Sequence, residues 1–394
     1  MTTSIPPLNI TLDDVEAAAE RIKDRVRRTP CLRARFIRNP IHPNLMLKME
    51  SLQVTGSFKA RGANNAVLSL DDDALGRGII TASGGNHGAA VAYAGHASGA
   101  KTVVYLPERA AAAKVKTLES WGAEVVLTGD VWDDANVAAL ERADQDGLTY
   151  IHPFADPTVM AGQATLAREM LKQSSQIDVI VVGIGGGGLI SGVASAAKAI
   201  KPEVRIIGVE PVGAPTLKTS IETGVVTTLE RIETDAITLA PRRSAAVNVD
   251  IISRLVDEIV LVDDNAMRSA SQWLFDEMGV AAELSGLAHA TLSVAECRAR
   301  SAHAVAFCAR GKCSAFGSDK CVGRLVLSTG AIGTSPSVCN GRACACRILP
   351  SCTLRASRAR RSSEGIGGLV RRPSHAVITV NILPAPASGF NFFS

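Results

Sequence analysis

Apolar and polar positions follow two periods along the first three quarters of the chain. Residues 12–27 carry apolar side chains at helical spacing, with Thr11 or Asp13 placed to cap the first turn. Residues 44–51, NLMLKMES, read as a strand, and GIITAS at 78–83 is a strand that runs into SGGNHG and then a small-residue helix. Further strands are predicted at 101–107, 123–129, 148–154, 178–185, 205–211 and 258–264, with helices at 110–121, 189–199 and 265–278. The runs VIVVG and RIIGVE are continuous and β-branched, as parallel strands covered on both faces require. Strands alternating with helices of about 10–15 residues give βαβ units, so the fold class is α/β with open, mostly parallel, twisted sheets and flanking helices.

Beyond residue 296 that periodicity fails. Arg, Cys, Ser, Ala and Gly dominate, and only residues 322–330 (VGRLVLSTG) and, more weakly, 376–383 (AVITVNIL) read as strands. Charge breaks at the same place. The net charge of +4 divides into 28 basic and 36 acidic residues over 1–296, which is −8, and 14 basic (12 of them Arg) against 2 acidic over 297–394, which is +12. Eight of the nine cysteines also lie in 297–394, with Cys31 the exception. The spacings Cys308-x4-Cys313, Cys344-x-Cys346 and Cys346-x5-Cys352 supply no two zinc-type pairs, and the few histidines complete none. A low-complexity extension or translation in a shifted reading frame would each produce such an atypical tail. The second better explains why charge, cysteine content and period change together.

Composition narrows the class further. The 394 residues amount to about two to three domain lengths. With 46% hydrophobic and 20% charged residues, the chain can bury a core and is not disordered in bulk. Aromatics at 4% and abundant small residues favour close helix–sheet packing over an all-β sandwich. No apolar run reaches the ~18 residues needed to cross a bilayer, and the first residues lack the basic and apolar regions of a secretory signal. A cytoplasmic protein with no membrane or nucleic-acid partner and no disulfide framework is expected.

Three glycine-rich turns carry the candidate chemistry. VGIGGGGLI at 182–190 follows a strong strand and opens a helix. Backbone N–H groups there face a ligand without hindrance from Cβ, and the helix terminus adds positive potential, which suits a phosphate. Gly183, Gly185 and Gly188 also spell G-x-G-x-x-G, and Glu210 ends the next strand, so a nicotinamide-dependent oxidoreductase remains an alternative. TASGGNHGAA at 81–90 offers exposed N–H groups with Ser83, Asn86 and His87 to a carboxylate, although His87 reads as readily as a packing residue. SLQVTGSFKARGANN at 51–65 sets a lone amine, Lys59, among uncharged neighbours, where it sheds its proton more easily and becomes a candidate Schiff-base nucleophile. A phosphate cradle, a carboxylate turn and such a lysine together suit pyridoxal phosphate better than a nicotinamide.

LKMESLQVTGSFKARGANN, TASGGNHG, HPFADPTVMAGQAT and VGIGGGGLISG, in this order, resemble fold-type II pyridoxal-phosphate enzymes of the threonine/serine dehydratase (threonine ammonia-lyase) and serine racemase group, over about residues 11–286. The resemblance implies a two-domain, tryptophan synthase β-like fold. Residues 1–71 and 151–296 would form the large cofactor domain, 72–150 the small substrate-loop domain, and 297–394 the divergent tail. It implies pyridoxal 5'-phosphate bound covalently by Lys59, with Phe58 beside it and Asn86 on the ring hydroxyl. Gly185, Gly186, Gly187, Gly188 and Leu189 would cradle the phosphate, and Glu283 would lie near the ring. Ser83, Gly85, Asn86 and His87 would hold the substrate carboxylate. The group's partners would be a small hydroxy amino acid and further copies of the chain in a homo-oligomer.

Three departures from the group's pattern shape the expected activity. Racemases carry a second serine after Ser83, and this chain has Gly84, which cannot move a proton. Elimination is therefore expected: deamination of L-threonine, and L-serine at most beside it, to a 2-oxo acid and ammonia. The group's divalent-cation site is matched by Glu210 and Ala214 but meets Thr216 where an acid is expected. The group's pyridine-nitrogen partner ends a strand after the E-x-S-G segment. Here only Ser328, after Leu325-Val326-Leu327, offers itself, and a chain lacking that partner would be an impaired pseudoenzyme.

Overall fold

The computed structural model describes residues 10–42, 44–286 and 304–307, the last four by their backbone. All lie in the first of the two units into which the chain divides, residues 1–324. The elements begin with α1 (Leu12–Ile22), β1 (Cys31–Arg33), β2 (Met46–Lys48), α2 (Lys59–Leu68), α3 (Asp72–Arg77), β3 (Ile79–Ala82) and α4 (Asn86–Ser98). They continue with β4 (Thr102–Leu106), α5 (Ala112–Glu119), β5 (Glu124–Leu127), α6 (Trp132–Asp146), β6 (Thr149–Tyr150) and α7 (Pro157–Gln173). β7 (Val179–Gly183), α8 (Gly188–Ile200), β8 (Arg205–Pro211), α9 (Thr216–Thr223), α10 (Ala246–Leu255), β9 (Glu258–Val262), α11 (Asp264–Met278) and β10 (Ala304–Phe307) complete the series.

Two sheets result. One has the order β1-β2-β10-β7-β8-β9, antiparallel only between β1 and β2. The other, β5-β4-β3-β6, is parallel throughout. Its central strands β3 and β4 are buried at every residue, which explains why they read as apolar runs without alternation. The core of the six-stranded sheet packs α7 and α8 over β7, through Met160, Ala164, Ile180, Val182, Ile190 and Val193. In both sheets a helix starts just past the carboxyl end of a parallel strand, the usual place for ligands in α/β proteins. α4 follows β3 through residues 83–85, and α8 follows β7 through residues 184–187.

Local signals explain most boundaries. Thr11 caps α1, its side chain accepting from Asp14 N while Asp14 accepts from Thr11 N, so the first candidate cap is the one used. The strand predicted over 148–154 is only two residues long, because Pro153 has no N–H to extend the ladder. The strand predicted over 44–51 ends at Lys48, where the chain turns around a buried ion cluster. Arg61 meets Glu50 at 2.9 Å and Glu169 at 3.0 Å, and Lys48 meets Glu169 at 2.6 Å. Lys48 also donates to Thr29 O at 2.7 Å, and Thr29 Oγ1 donates to Glu50. Charges this deep persist only when paired and hydrogen-bonded, and removing one partner costs about 3–5 kcal/mol.

β10 departs from expectation. It forms within residues 297–394, at a stretch where no strand was predicted, and pairs with β2 on one side and β7 on the other. Ladder bonds from two neighbours stabilise four residues whose own pattern is too short to read. The predicted strands at 322–330 and 376–383 lie outside the described residues.

Candidate active site

Lys59 opens α2 directly after Phe58, at the end of a tight turn in which Thr55 takes φ +59°. Its Nζ donates to Pro153 O at 2.6 Å and lies 5.4 Å from the centre of the Phe58 ring. Burial penalises the charged form and pushes the amine down to about 8. A lysine in that range carries a usable neutral fraction near physiological pH.

Two imidazoles border this amine. His152 Nδ1 accepts from Phe154 N at 3.1 Å and Ala155 N at 2.8 Å, which assigns its proton to Nε2. His87 Nε2 lies 2.9 Å from Ile151 O and must donate there, leaving Nδ1 a buried lone pair with no partner among the described residues. Burial first, and then the charge of Lys59, push His87 down to about 3 and His152 down to about 4. Both rings are therefore neutral near pH 7. A neutral His87 turned this way offers an anion its backbone N–H but no side-chain proton.

The turn after β7 is held from behind. A Cβ on Gly186 would overlap the Phe154 ring, one on Gly188 would come within 2.6 Å of Phe154 O, and one on Gly185 within 2.9 Å of Thr238 O. Gly187 takes φ +95°, which a side chain would strain. Asn248 Nδ2 donates to Gly186 O at 2.8 Å, and Ser244 Oγ donates to the same oxygen at 2.9 Å. Among the described residues, the N–H groups of Gly185, Gly186 and Gly187 make no hydrogen bond to protein. α8 starts at Gly188 without a side-chain cap, and Leu189, half-buried, follows. Unspent N–H groups at an uncapped helix terminus are what a phosphate requires.

The turn after β3 is looser. Gly85 N donates to Ser83 Oγ at 3.3 Å, and α4 also starts without a side-chain cap. Asn86 Nδ2 donates to Glu283 Oε1 at 2.8 Å, and Thr238 Oγ1 reaches the same oxygen at 3.4 Å. Thus the structure brings Asn86 and Glu283 together, 197 residues apart in sequence. Ser328 lies outside the described residues.

Glu210 and Thr216 do other work. Glu210 is fully buried, accepts from Leu217 N at 2.8 Å and Lys218 N at 2.9 Å, and is pushed up to about 7 by burial. Its carboxylate thus caps α9 and faces no ribose, which removes the support for a nicotinamide site. Thr216 Oγ1 donates to Pro241 O at 2.7 Å. This donor set does not fit a divalent cation, and among the described residues no cluster of three His, Cys, Asp or Glu could hold one.

The sequence profile described as "Pyridoxal-phosphate dependent enzyme" matches residues 22–307. The chain belongs to that family. The L-threonine ammonia-lyase of Thermotoga maritima is 36% identical over 277 residues, 70% of this chain and 69% of that protein. The serine racemase of Oryza sativa subsp. indica is equally near, 36% identical over 280 residues, 70% of this chain and 81% of that protein. The solved structure of the processed form of threonine deaminase isoform 2 from Solanum lycopersicum superposes with a TM-score of 0.74 at 31% identity, covering 79% of this chain and 93% of that one.

This pyridoxal-phosphate enzyme is thus of the threonine ammonia-lyase and serine racemase group, an α/β protein with parallel sheets and flanking helices. Its cofactor is pyridoxal 5'-phosphate, and the free N–H groups of residues 185–187 fit the phosphate end. Sequence reasoning passed over the residues that shape the site from behind: His152, Phe154, Thr238, Ser244 and Asn248. HPFADPTVMAGQAT marked the first two only as part of a motif. Nothing marked the last three, whose roles depend on hydrogen bonds from distant segments. Among the described residues no helix is long and apolar enough to cross a membrane.

Proposed function

We propose that the protein deaminates L-threonine, with L-serine as a second candidate substrate, by α,β-elimination to a 2-oxo acid and ammonia. The names of its relatives divide between lyase and racemase, and Gly84 favours the lyase. A racemase needs a proton-moving side chain on each face of the substrate's α-carbon. Lys59 serves one face, and Gly84 offers nothing to the other.

In this reading the glycines 185–188 and Leu189 would hold the cofactor phosphate, with Phe58, Asn86 and Glu283 near its ring. When bound, the cofactor supplies a conjugated ring that spreads the negative charge left at the α-carbon. Ser83, Gly85 and the first-turn N–H groups of α4, at Asn86 and His87, hold the substrate carboxylate. With the cofactor and the substrate's amine in place, Lys59 would take the α-proton, and burial, which lowers its amine to about 8, leaves it a neutral fraction near physiological pH. The proton taken by Lys59 would pass to the β-hydroxyl, which leaves as water, and hydrolysis of the released enamine gives the 2-oxo acid and ammonia. Residues 72–150 carry the turn at 83–88, and their closing on α2 and the six-stranded sheet would shut water out.

The test is 2-oxobutanoate release from L-threonine by the holoprotein, with wild type against Lys59→Ala. Wild type should show a visible cofactor band that borohydride abolishes. The variant should lose both that response and at least about 10³-fold in turnover. Undiminished turnover by Lys59→Ala would sink the role given to Lys59. Racemised serine without 2-oxo acid would sink the choice of lyase.

A further inference from the structure

The four-glycine turn takes its shape from a residue that no motif announces. Asn248 lies in the first turn of α10 and is fully buried. Its Nδ2 donates to Gly186 O at 2.8 Å and to Phe154 O at 3.1 Å, and its Oδ1 accepts from Ser191 Oγ at 3.0 Å. Ser244 Oγ adds a second donor to Gly186 O at 2.9 Å. In a planar trans peptide the C=O and the N–H point in opposite directions. Two donors that draw the Gly186 carbonyl toward α10 therefore turn the Gly187 N–H away from it. That N–H makes no hydrogen bond to any described residue. Gly187 is also boxed in, since a Cβ there would lie 2.9 Å from Asn248 Cβ. The same amide binds Phe154 O, the neighbour of the Pro153 carbonyl that receives Lys59 Nζ. One side chain therefore joins the glycine turn, the lysine's acceptor segment and the start of α8.

We infer that Asn248, assisted by Ser244, is a positioning residue that aims the Gly187 N–H at the anionic end of the cofactor and so sets the preference for a phosphorylated ligand. This rests on the reading of residues 185–188 as the phosphate cradle. The site calls for an amide, which donates twice and accepts once. A carboxylate there would face the Gly186 and Phe154 carbonyls with lone pairs only.

Binding of pyridoxal phosphate and of pyridoxal, which has the same ring and aldehyde but no phosphate, distinguishes positioning from general support. Affinities are measured by absorbance on the cofactor-stripped full chain for wild type, Asn248→Ala, Asn248→Asp and Ser244→Ala. Wild type should favour the phosphorylated form. Asn248→Ala and Asn248→Asp should lose about tenfold or more of that preference, and Ser244→Ala about threefold, with pyridoxal affinity held within about twofold. Variants that weaken both ligands in proportion, leaving the preference at its wild-type value, overturn the inference. Wild type without any preference overturns the cradle reading beneath it. Should Asn248→Ala fail to fold, the same ratio in Asn248→Asp and Ser244→Ala decides.

Discussion

The turn at 184–187 and the turn at 83–85 occupy the same structural position, between the end of a parallel strand and the start of a helix, yet the protein packs one closely from behind and leaves the other looser. Behind Gly185, Gly186, Gly187 and Gly188 stand Thr238, Phe154 and Asn248, with no space for a Cβ at any of the four. At Gly85 a Cβ would meet only Ser83 Oγ, at 4.0 Å, and Gly84 faces the movable end of Leu106. Ser83 and Gly85 are joined by one weak hydrogen bond at 3.3 Å, and beyond it Gly85 O accepts from Ala89 N at 3.2 Å. On the proposed reading the packed turn serves a ligand that stays and the open turn one that arrives and departs every cycle. Rigidity goes where an anion must be held for the life of the enzyme, and slack goes where closure must follow substrate.

The sharpest way to break this contrast is to add one methyl to each turn. Gly186→Ala drives a Cβ into the Phe154 ring, and overpacking of this kind costs about 1–3 kcal/mol, or about five- to 150-fold in cofactor affinity. Gly85→Ala enters open space and should leave cofactor affinity unchanged while raising the KM for threonine. Equal effects of the two on cofactor binding would erase the distinction. A second probe is acid. In the fold His87 stays neutral down to about pH 3, whereas in the unfolded chain it gains a proton near 6.5. Its contribution to stability is therefore complete above 6.5 and shrinks as pH falls from there toward 3, by about 2 kcal/mol at pH 5. Urea unfolding at pH 7 and pH 5 should show His87→Gln losing correspondingly less than wild type, and identical losses would count against the buried neutral ring. The smallest expected effect belongs to Ser83→Ala, which removes one exchangeable contact at the open turn. A rise of about two- to tenfold in KM with kcat nearly unchanged is expected from steady-state kinetics.

What the sequence disclosed followed from short-range signals. RIIGVEP is a strand over the very residues predicted, because a β-branched run between turns has little choice. Lys59 and the two turns were legible because glycine-rich stretches and lone amines are local features. Asn248 was not, since AAVNVD carries no local signal and only the fold sets it beside Gly186. Lys48 and Glu50 were placed in a strand with no account of their charges. Their partners Arg61 and Glu169 come from α2 and α7, and pairing at that distance has no signature in the local pattern.

The place of β10 governs the order in which the molecule can be completed during synthesis. The four-stranded sheet has all its strands once residue 150 has left the ribosome. The six-stranded sheet has a gap at its centre until residues 304–307 arrive, so β1 and β2 wait on one side and β7, β8 and β9 on the other. Until then two strand edges, on β2 and β7, face each other without a ladder between them, in a nascent chain already carrying both ligand turns. Closing a sheet over so long a sequence separation is slow. A ribosome-bound chain stalled before residue 304 should therefore contain one finished sheet and one still split in two.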